Sequence, residues 1–439
     1  MNFKSLNLWK NSKLSRTDKW FMVALSIIII GLIAQFSVAQ GRFFSKQLLF
    51  ALLGIPVFYL GYTLPTEILK KICWFVYGVA ILLLLIVLVK GTSALGAQRW
   101  LSIGGFSLQP SEAAKIACIM ALANWLKEHK ATSILSIIST GCIILLLPFA
   151  LIFIQPDLGT SMVLIAIFLA MCYWAGASFT QIIALISPLI ILISSALGEK
   201  AFILSSFKFH KHLIQLDCSI LGIICILLLV IYFANHYKVW KKNTKILLLS
   251  LYFVFCSFLA VVGRPLAWGI LAPYQQKRLT IFIDPYTDPQ GSGYNIIQSL
   301  IAVGSGGLHG AGFKQGRLTQ GQFVPEQHTD FVFSSIAEEW GFIGVAVLLI
   351  AFLIICIRLL ILAKDLEDGF AQLLIIGILT FLCFHVCVNI GMNIGLMPVT
   401  GVPLPLISYG GTSMWITLFS LGITQRIYAD NSPNSLFNR

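Results

Sequence analysis

The sequence predicts an all-α integral membrane protein, a polytopic bundle of about twelve transmembrane helices with one long extracytoplasmic loop. Of its 439 residues, 58% are hydrophobic and only 11% are charged, whereas soluble domains carry about 25% charged residues. The hydrophobic residues also lie in long runs, such as 21–39 and 216–234. These runs match the roughly 20 residues that a helix needs to cross a bilayer core.

Each predicted span is an apolar run bounded by charged or turn-forming residues. The fourth is the weakest, because it is short and carries Glu112 and Lys115 near its start. The segment 264–336 is the only connection long enough to hold structure of its own. The predicted spans are 20–38, 47–63, 71–89, 111–126, 134–154, 161–178, 180–197, 216–234, 245–263, 337–357, 370–391 and 406–425.

The distribution of positive charge orients this bundle. The chain has 30 Lys and Arg against 17 Asp and Glu, a net charge of +13. Because cytoplasmic loops are enriched in Lys and Arg, the basic N-terminus and the run His236–Lys245 predict cytoplasmic termini and an outward-facing loop 264–336. The charge does not indicate nucleic acid, since no basic face with interleaved aromatic residues lies outside the apolar runs.

Two polar segments open predicted helices at membrane depth, where an ionisable side chain is costly and is a functional candidate. In the first, Arg99 and Trp100 precede Glu112 and Lys115. Glu112 and Lys115 are three residues apart and share a helical face, as either a structural ion pair or a substrate-facing one. In the second segment, Asp157 either caps the next helix or belongs to a site.

The long loop holds the richest set of candidate residues. Lys277 and Arg278 supply positive charge, and His328 and Asp330 stand where the loop re-enters an apolar helix. Asp330 is placed to act as a general base, and a cap for the following helix is the less favoured alternative. Together with His328 it is also a weak candidate for a divalent-cation site, for Mg²⁺ or Mn²⁺.

Two stretches rich in glycine or proline complete the set. The run 304–312 resembles a nucleotide-binding fingerprint, but it lacks the strand–turn–helix unit and the later acidic partner, so close backbone approach or unusual turns are the better explanation. The stretch 398–411, which contains Ser408, starts the last helix. Such backbone is tolerated at membrane depth only when it is buried in protein or lines a cavity. The polar segments are therefore expected to border one cavity on the outer face.

Taken in order, these motifs resemble the SEDS family (shape, elongation, division and sporulation), bacterial membrane enzymes that polymerise peptidoglycan. The elongation branch, which is RodA-like, is favoured over the FtsW-like division branch by Glu326–His328, Glu339–Trp340 and Pro398–Gly401. The resemblance covers most of the chain outside 198–263. The matching motifs are Arg99–Trp100, Gln109–Glu112 with Lys115, Gln155–Ser161, Gly304–Gly312, Pro325–Phe331, Glu338–Glu339 and Pro398–Gly411.

The resemblance implies an inverting glycosyltransferase acting on lipid II, a disaccharide-pentapeptide on undecaprenyl pyrophosphate. The acceptor's GlcNAc 4-hydroxyl attacks the donor's MurNAc anomeric carbon, and undecaprenyl pyrophosphate leaves. The family places the base on Asp330, and a cationic side chain or a divalent cation steadies the leaving group. The residues expected to bind or brace the substrate are Arg99, Trp100, Glu112, Lys115, Asp157, Lys277, Arg278, His328 and Ser408.

The resemblance also implies a multi-pass protein of the bacterial cytoplasmic (inner) membrane that serves cell elongation and shape. The implied partners are a class B penicillin-binding transpeptidase and the rod-complex proteins. Alternative functions are a lipid II flippase, a septal polymerase and a non-catalytic scaffold. The helix-embedded carboxylates concentrate near outer helix ends, which favours the enzyme over the flippase.

One departure from the family pattern concerns the number of spans. The family usually has ten, and the excess maps to an inserted region at 198–263. An even number of extra spans preserves the orientation downstream, so Asp330 remains outside. The predicted division is a cytoplasmic segment (1–19), seven helices (20–197), the inserted region (198–263), the long loop (264–336), three helices (337–425) and a cytoplasmic tail (426–439).

Overall fold

The computed structural model describes residues 18–38, 42–94, 97–103, 106–204, 273–291 and 293–431, with isolated positions between 252 and 269. The chain divides into two compact units: 1–176, 299–394 and 400–439 form the first, and 177–298 and 395–399 the second. The predicted spans 216–234 and 245–263 lie almost entirely outside the described residues. The number of spans therefore stays a prediction.

The described part of the chain is mostly helical, as predicted for a polytopic bundle, and five of its helices are long and apolar enough to cross a membrane. The elements are α1 (Asp18–Val38), α2 (Arg42–Thr63), α3 (Thr66–Lys90), β1 (Thr92–Ala94), β2 (Ala97–Ile103), β3 (Phe106–Leu108), α4 (Pro110–Glu128), α5 (Ile134–Thr140), a π-helical turn (Gly141–Leu145), α6 (Leu146–Ile154), α7 (Leu158–Trp174), α8 (Phe179–Leu204), α9 (Pro273–Ile283), a 3₁₀ turn (Pro285–Thr287), α10 (Tyr294–Ser305), α11 (Arg317–Gln320), α12 (Val332–Asp365), α13 (Gly369–Asn393) and α14 (Gly411–Asp430).

The connection between α3 and α4 forms a small antiparallel sheet that the all-α prediction did not include. Trp100 of β2 pairs with Thr92 of β1, and Leu101 pairs with Leu108 of β3. The strands have only 3 to 7 residues, too few for an alternating pattern to stand out beside long apolar runs. The sheet leads the chain from Arg99 and Trp100 directly into α4.

Helix α4 lies inside the first unit, where it contacts α3, α7, α13 and α14. Small side chains such as Ala117 and Ala121 let these neighbours approach closely, and both are buried. Because α4 is surrounded by protein on most sides, polar side chains near its start can be paired internally. This explains why the fourth predicted span was the least apolar.

The last predicted span begins too early. Helix α14 starts only at Gly411, so the predicted start at 406 is wrong. Pro403 and Pro405 have no backbone N–H to donate, and Leu406 has φ +64°, so this stretch cannot continue a helix. It forms an irregular, largely buried segment between α13 and α14.

The glycine run 304–312 packs against a break in α12. Gly341 has φ +64° and ψ −166° within that helix, a region open essentially to glycine alone. The loop replaces hydrogen bonds that the break removes: Phe342 N donates to Gly307 O (2.9 Å), and Ala311 N donates to Glu338 O (2.9 Å). The interpretation of the run as a site of close backbone approach is confirmed.

Candidate active site

Asp330 lies just before the first residue of α12 and is half-buried. Its backbone carbonyl accepts hydrogen bonds from two amide side chains of α13, Asn389 Nδ2 (2.9 Å) and Asn393 Nδ2 (3.0 Å). The segment after α13 runs beside its carboxylate, because a Cβ built on Gly401 would lie 3.4 Å from Asp330 Oδ2. The backbone carbonyl of Asp330 is thus held by two hydrogen bonds, while the residue keeps partial exposure.

His328 is fixed by its backbone and packed by aromatic rings. Its carbonyl accepts from Gln35 Nε2 (2.8 Å) and from Tyr409 N (2.8 Å). Its ring lies 4.3 Å from that of Phe43 and 5.6 Å from that of Tyr409, between centroids. Burial lowers the pKa of His328, and nearby Glu326 opposes this only in part. His328 is therefore neutral near pH 7.

Glu112 and Lys115 form a buried ion pair inside the first unit. Lys115 Nζ lies 2.8 Å from Glu112 Oε1, and the two side chains are 0% and 3% exposed. Lys115 Nζ also lies 2.9 Å from His385 Nε2 and 4.7 Å from the centre of the Phe381 ring. Of the two alternatives left by the sequence, this geometry is that of a structural pair. A direct role in substrate binding stays a prediction.

Asp157 caps α7 and ties it to the start of α4. Its carboxylate accepts from Thr160 N (3.2 Å) and Thr160 Oγ1 (2.9 Å), so the capping alternative is realised. The same carboxylate accepts from Gln109 Nε2 (3.0 Å) and Ser111 Oγ (3.3 Å). These contacts bring together two motifs that are separated by more than forty residues in the chain.

Arg99 holds the turn that precedes this cap. Its guanidinium donates to the carbonyls of Gln155 (3.1 Å) and Pro156. Trp100, the next residue, lies in the small sheet opposite Thr92. The guanidinium of Arg99 thus donates to backbone oxygens of this turn. Those N–H groups can bind an anionic ligand only if the hydrogen bonds to the turn are broken.

Ser408 and the two acidic residues of the Glu338–Glu339 motif have structural partners. Ser408 Oγ accepts from Leu404 N (2.8 Å) within the irregular segment. Glu338 accepts from Leu318 N and Thr319 N, both at 2.8 Å. In the same way, Glu339 accepts from Ser37 Oγ (2.6 Å) and Gln320 Nε2 (3.0 Å). The hydrogen bonds of Glu338 and Glu339 join α1 and α11 to the first turns of α12, shortly after Asp330 in the sequence.

Lys277 and Arg278 belong to the second unit. Lys277 Nζ lies 2.8 Å from Asp288 Oδ2, and the Lys277 side chain is 53% exposed. Arg278 donates to Val399 O (3.2 Å). Both cations therefore have partners within their own unit.

Sequence reasoning missed the buried polar residues of α13, namely His385, Asn389 and Asn393. They are 1%, 0% and 0% exposed and lie four residues apart, so they share one helical face. That spacing was the available signal, with His385 and Asn389 inside the apolar run 370–391 and Asn393 just after it. Polar residues at membrane depth normally face the bundle interior, and the structure confirms that location for these three.

A divalent cation is not given a ready-made site by the described residues. They contain no group of three or more His, Cys, Asp or Glu side chains able to hold a metal ion. His328 and Asp330 alone do not meet the ligand number of a protein-built site.

The chain is similar over most of its length to known proteins of one family. The family model described as "Cell cycle protein", which represents the FtsW/RodA/SpoVE family, matches residues 17–210 and 200–432. Peptidoglycan glycosyltransferase RodA of Treponema pallidum is 33% identical over 410 residues, with 84% of this chain and 91% of that protein covered. Peptidoglycan glycosyltransferase MrdB of Escherichia coli K12 is 30% identical, with 86% and 83% covered.

Solved structures agree on the fold. A chain from the structure described as "Structural coordination of polymerization and crosslinking by a peptidoglycan synthase complex" is 28% identical, with a TM-score of 0.67 over 95% of this chain and 98% of that one. Thermus thermophilus RodA, at 22% identity and a TM-score of 0.59, shares the fold over 94% of this chain and 96% of its own. The family match spans nearly the whole sequence, so this chain belongs to the FtsW/RodA/SpoVE family, the SEDS family that its motifs resemble.

Proposed function

We propose that this chain is a peptidoglycan glycosyltransferase that polymerises lipid II for cell elongation and shape, with Asp330 as its general base. The activity is supported by the names of its relatives, which include RodA and MrdB. The residue assignment rests on one observation. Asp330 is a half-buried carboxylate whose backbone carbonyl accepts hydrogen bonds from Asn389 and Asn393, and Gly401 lies so near that a Cβ there would be 3.4 Å from Asp330 Oδ2.

The proposed reaction is a single displacement. Asp330 takes the proton of the acceptor's GlcNAc 4-hydroxyl, and that oxygen forms a bond to the donor's MurNAc C1. The bond from C1 to the pyrophosphate oxygen breaks, and undecaprenyl pyrophosphate carries away the electron pair. One displacement inverts an α-linkage into the β-1,4 linkage of a glycan strand. A base contributes about 10² to 10⁴ to such a rate.

The leaving pyrophosphate needs positive charge, and the chain offers two sources. Arg99 stands at the entrance to α4 and holds carbonyl oxygens that an anion could replace. Lys277 and Arg278 lie in the second unit, where Lys277 is the more exposed. Mg²⁺ or Mn²⁺ is a further proposed source of positive charge. Mg²⁺ often binds through substrate phosphates together with one or two carboxylates.

The family and the distribution of charge support a proposed location and proposed partners. We propose a multi-pass protein of the bacterial inner membrane with cytoplasmic termini and an extracytoplasmic Asp330. A relative of known structure belongs to a complex that joins polymerisation to crosslinking. A class B penicillin-binding transpeptidase is accordingly the proposed partner, together with rod-complex proteins.

The deciding experiment is polymerisation of labelled lipid II by the purified protein, with or without the transpeptidase. We expect glycan strands from the wild type and a loss of at least about 10²-fold with Asp330→Asn. Asp365→Asn is the matched control, because Asp365 is the exposed last residue of α12, at the end of that helix remote from Asp330. Equal activity of Asp330→Asn and wild type would remove Asp330 as the base. A wild type that moves labelled lipid II across vesicles without polymerising it would favour the flippase.

A further inference from the structure

Three buried polar side chains form a ladder along one face of α13. His385, Asn389 and Asn393 follow each other at intervals of four residues and are at most 1% exposed. A polar group buried without a hydrogen bond costs roughly 1–3 kcal/mol, so each of them is expected to have a defined partner. The partners identify what the ladder does.

The two asparagines donate hydrogen bonds to the backbone carbonyl of Asp330. Asn389 Nδ2 donates to Asp330 O (2.9 Å) and to Val402 O (2.8 Å), which uses both N–H bonds of its amide. Asn393 Nδ2 donates to Asp330 O (3.0 Å) and to Asn389 O (2.8 Å). Ser299 Oγ donates to the backbone carbonyl Asn393 O (2.9 Å) and lies 3.3 Å from Asn393 Oδ1.

Asn389 also joins Asp330 to the segment 400–404, termed the strap. The strap passes the carboxylate at Gly401, where φ is +75° and a Cβ would lie 3.4 Å from Asp330 Oδ2. Val402 O, the next carbonyl of the strap, is the second acceptor of Asn389. One amide therefore sets the distance between the backbone of the proposed base and the backbone that borders its carboxylate.

The third rung of the ladder connects the strap to the buried ion pair. His385 Nδ1 lies 3.2 Å from Pro403 O, and only a protonated nitrogen can donate to a carbonyl oxygen. Nε2 of a neutral imidazole is then an acceptor, and it receives a hydrogen bond from Lys115 Nζ at 2.9 Å. The same ammonium group pairs with Glu112 at 2.8 Å. Glu112, Lys115 and His385 thus form a continuous chain that ends on the strap.

We infer that Asn389 and Asn393 are positioning residues for Asp330. The Glu112–Lys115–His385 chain holds the strap at the carbonyl of Pro403, which follows Val402. This inference rests on the proposed role of Asp330 as the base. It assigns Glu112 and Lys115 an indirect role: they act through the strap, and a substrate need not reach them. Because a displacement of 1 Å at a reacting group can cost about 10²-fold in rate, loss of these contacts should lower turnover before it lowers substrate binding.

The test compares Asn389→Ala and Asn393→Ala with wild type in the lipid II polymerisation assay, with the transpeptidase partner present. We expect kcat to fall by about 10- to 100-fold with KM unchanged. The acid limb of the pH–rate profile, which reports the base, should shift in both variants. Thr380→Val is the matched control on the same helix, because the hydrogen bond of Thr380 among the described residues stays within that helix, at Ile376 O (2.8 Å). It should retain wild-type kcat and pH profile.

The outcomes separate positioning from stability and from the function itself. Wild-type kcat and an unmoved acid limb in both Asn variants would overturn the inference, as would a loss of active molecules that leaves the acid limb unmoved in those that remain. If Asn389→Ala does not fold, Gly401→Ala takes its place in the test, because the added Cβ would lie 3.4 Å from Asp330 Oδ2 and changes the contact between the strap and the carboxylate. Full activity of Asp330→Asn would instead overturn the proposed function, while inactive Asp330→Asn beside fully active Asn variants would overturn only the positioning.

Discussion

Lys115 is a fully buried lysine whose charge depends on a small number of partners. Glu112 supplies the opposite charge at 2.8 Å, and His385 accepts a further hydrogen bond at 2.9 Å. Removing one member of a buried pair leaves an uncompensated charge, which costs about 3–5 kcal/mol. We therefore expect Lys115→Met to lower the melting temperature of the detergent-purified protein strongly.

The double variant distinguishes this explanation from simple loss of packing. In Lys115→Met with Glu112→Gln, no charge is left unpaired, so much of the stability should return. The double-variant cycle measures the coupling between the two side chains. A double variant as unstable as Lys115→Met alone would show that the pair does not account for the effect.

The stability contribution of His328 depends on pH in a direction that its burial sets. The pKa of His328 is lowered in the folded protein, so the unfolded chain binds the proton more readily as the pH falls below about 6.5. The unfolded state then carries more protons, and the free energy of unfolding falls as the pH decreases. We expect the melting temperature of wild type to drop more between pH 7.5 and pH 5 than that of His328→Gln. Parallel curves for the two proteins would contradict this assignment.

At this scale the sequence predicted the residues that break a pattern and missed those that fit within one. Asp330, Asp157 and Lys115 stood out because they are charges in or beside apolar runs. Asn389 and Asn393 are uncharged, and their amides are small enough to sit within an apolar helix. Their importance lies in which carbonyls they reach, and contacts between α13 and a residue some sixty positions earlier cannot be seen in the local sequence.

The break in α12 depends on glycine at position 341. Gly341 has φ +64° and ψ −166°, and a Cβ there would collide with the backbone of Leu308 and His309. Strain of this kind costs about 1–3 kcal/mol, before the collision is counted. We expect Gly341→Ala to lower the melting temperature clearly and to expose the 307–312 loop to proteolysis.

A neighbouring glycine provides the control. Gly304 lies in α10 with open space around it, so Gly304→Ala should leave stability unchanged or raise it, since alanine favours a helix by about 1 kcal/mol over glycine. If both substitutions destabilise equally, the effect belongs to the glycine-rich loop as a whole and the break in α12 has no special role.

The packing of α12 against α13 can be tested through two cysteines. Cys356 Sγ on α12 lies 3.2 Å from Cys383 Sγ on α13. A membrane-permeant oxidant should join the two thiols in a disulfide, with two protons and two electrons passing to the oxidant. Mass spectrometry should find this crosslink in wild type and in Cys387→Ser, but not in Cys383→Ser. A crosslink of Cys387 in preference to Cys383 would mean that the helices pack in another register.

Hydrophobic length predicted the helices well, and their irregular features depend on tertiary contacts. The apolar runs of α3 and α13 match spans predicted from 71–89 and 370–391. The late start of α14 and the break in α12 arise where loops supply hydrogen bonds that a continuous helix would make for itself. Such replacements join residues distant in sequence, so periodicity cannot indicate them.

At the scale of the whole molecule, the described contacts collect the predicted motifs in one unit. Asp330, Asp157 and the Glu112–Lys115 pair all belong to the first unit, whereas Lys277 and Arg278 belong to the second. Polar segments distant in sequence are joined within the first unit by hydrogen bonds, such as the one from Gln109 Nε2 to Asp157, while the expected cavity on the outer face stays a prediction. The role of Lys277 and Arg278 in substrate binding stays a proposal.

Labelling at three positions tests the orientation of the molecule in the membrane and the side on which Asp330 lies. Glu128, Gln322 and Glu367 are all exposed, so a cysteine at each, in a variant whose ten native cysteines are replaced by serine, can react with a maleimide. The positive-inside rule predicts cytoplasmic positions for 128 and 367 and an outer position for 322. An impermeant maleimide should therefore label only position 322 in spheroplasts, and all three after permeabilisation.

A fourth position tests the number of spans. Two extra helices in 198–263 would place the basic run His236–Lys245 in the cytoplasm, where its Lys residues are favoured. A cysteine at Asn243 should then be protected in spheroplasts, as at position 128. Because two spans or none leave the downstream orientation unchanged, labelling at 243 and at 322 gives independent answers. Outside labelling at 243 would remove the inserted pair and leave Asp330 in place, whereas protection at 322 would put Asp330 on the cytoplasmic side, out of reach of an extracytoplasmic polymerisation step.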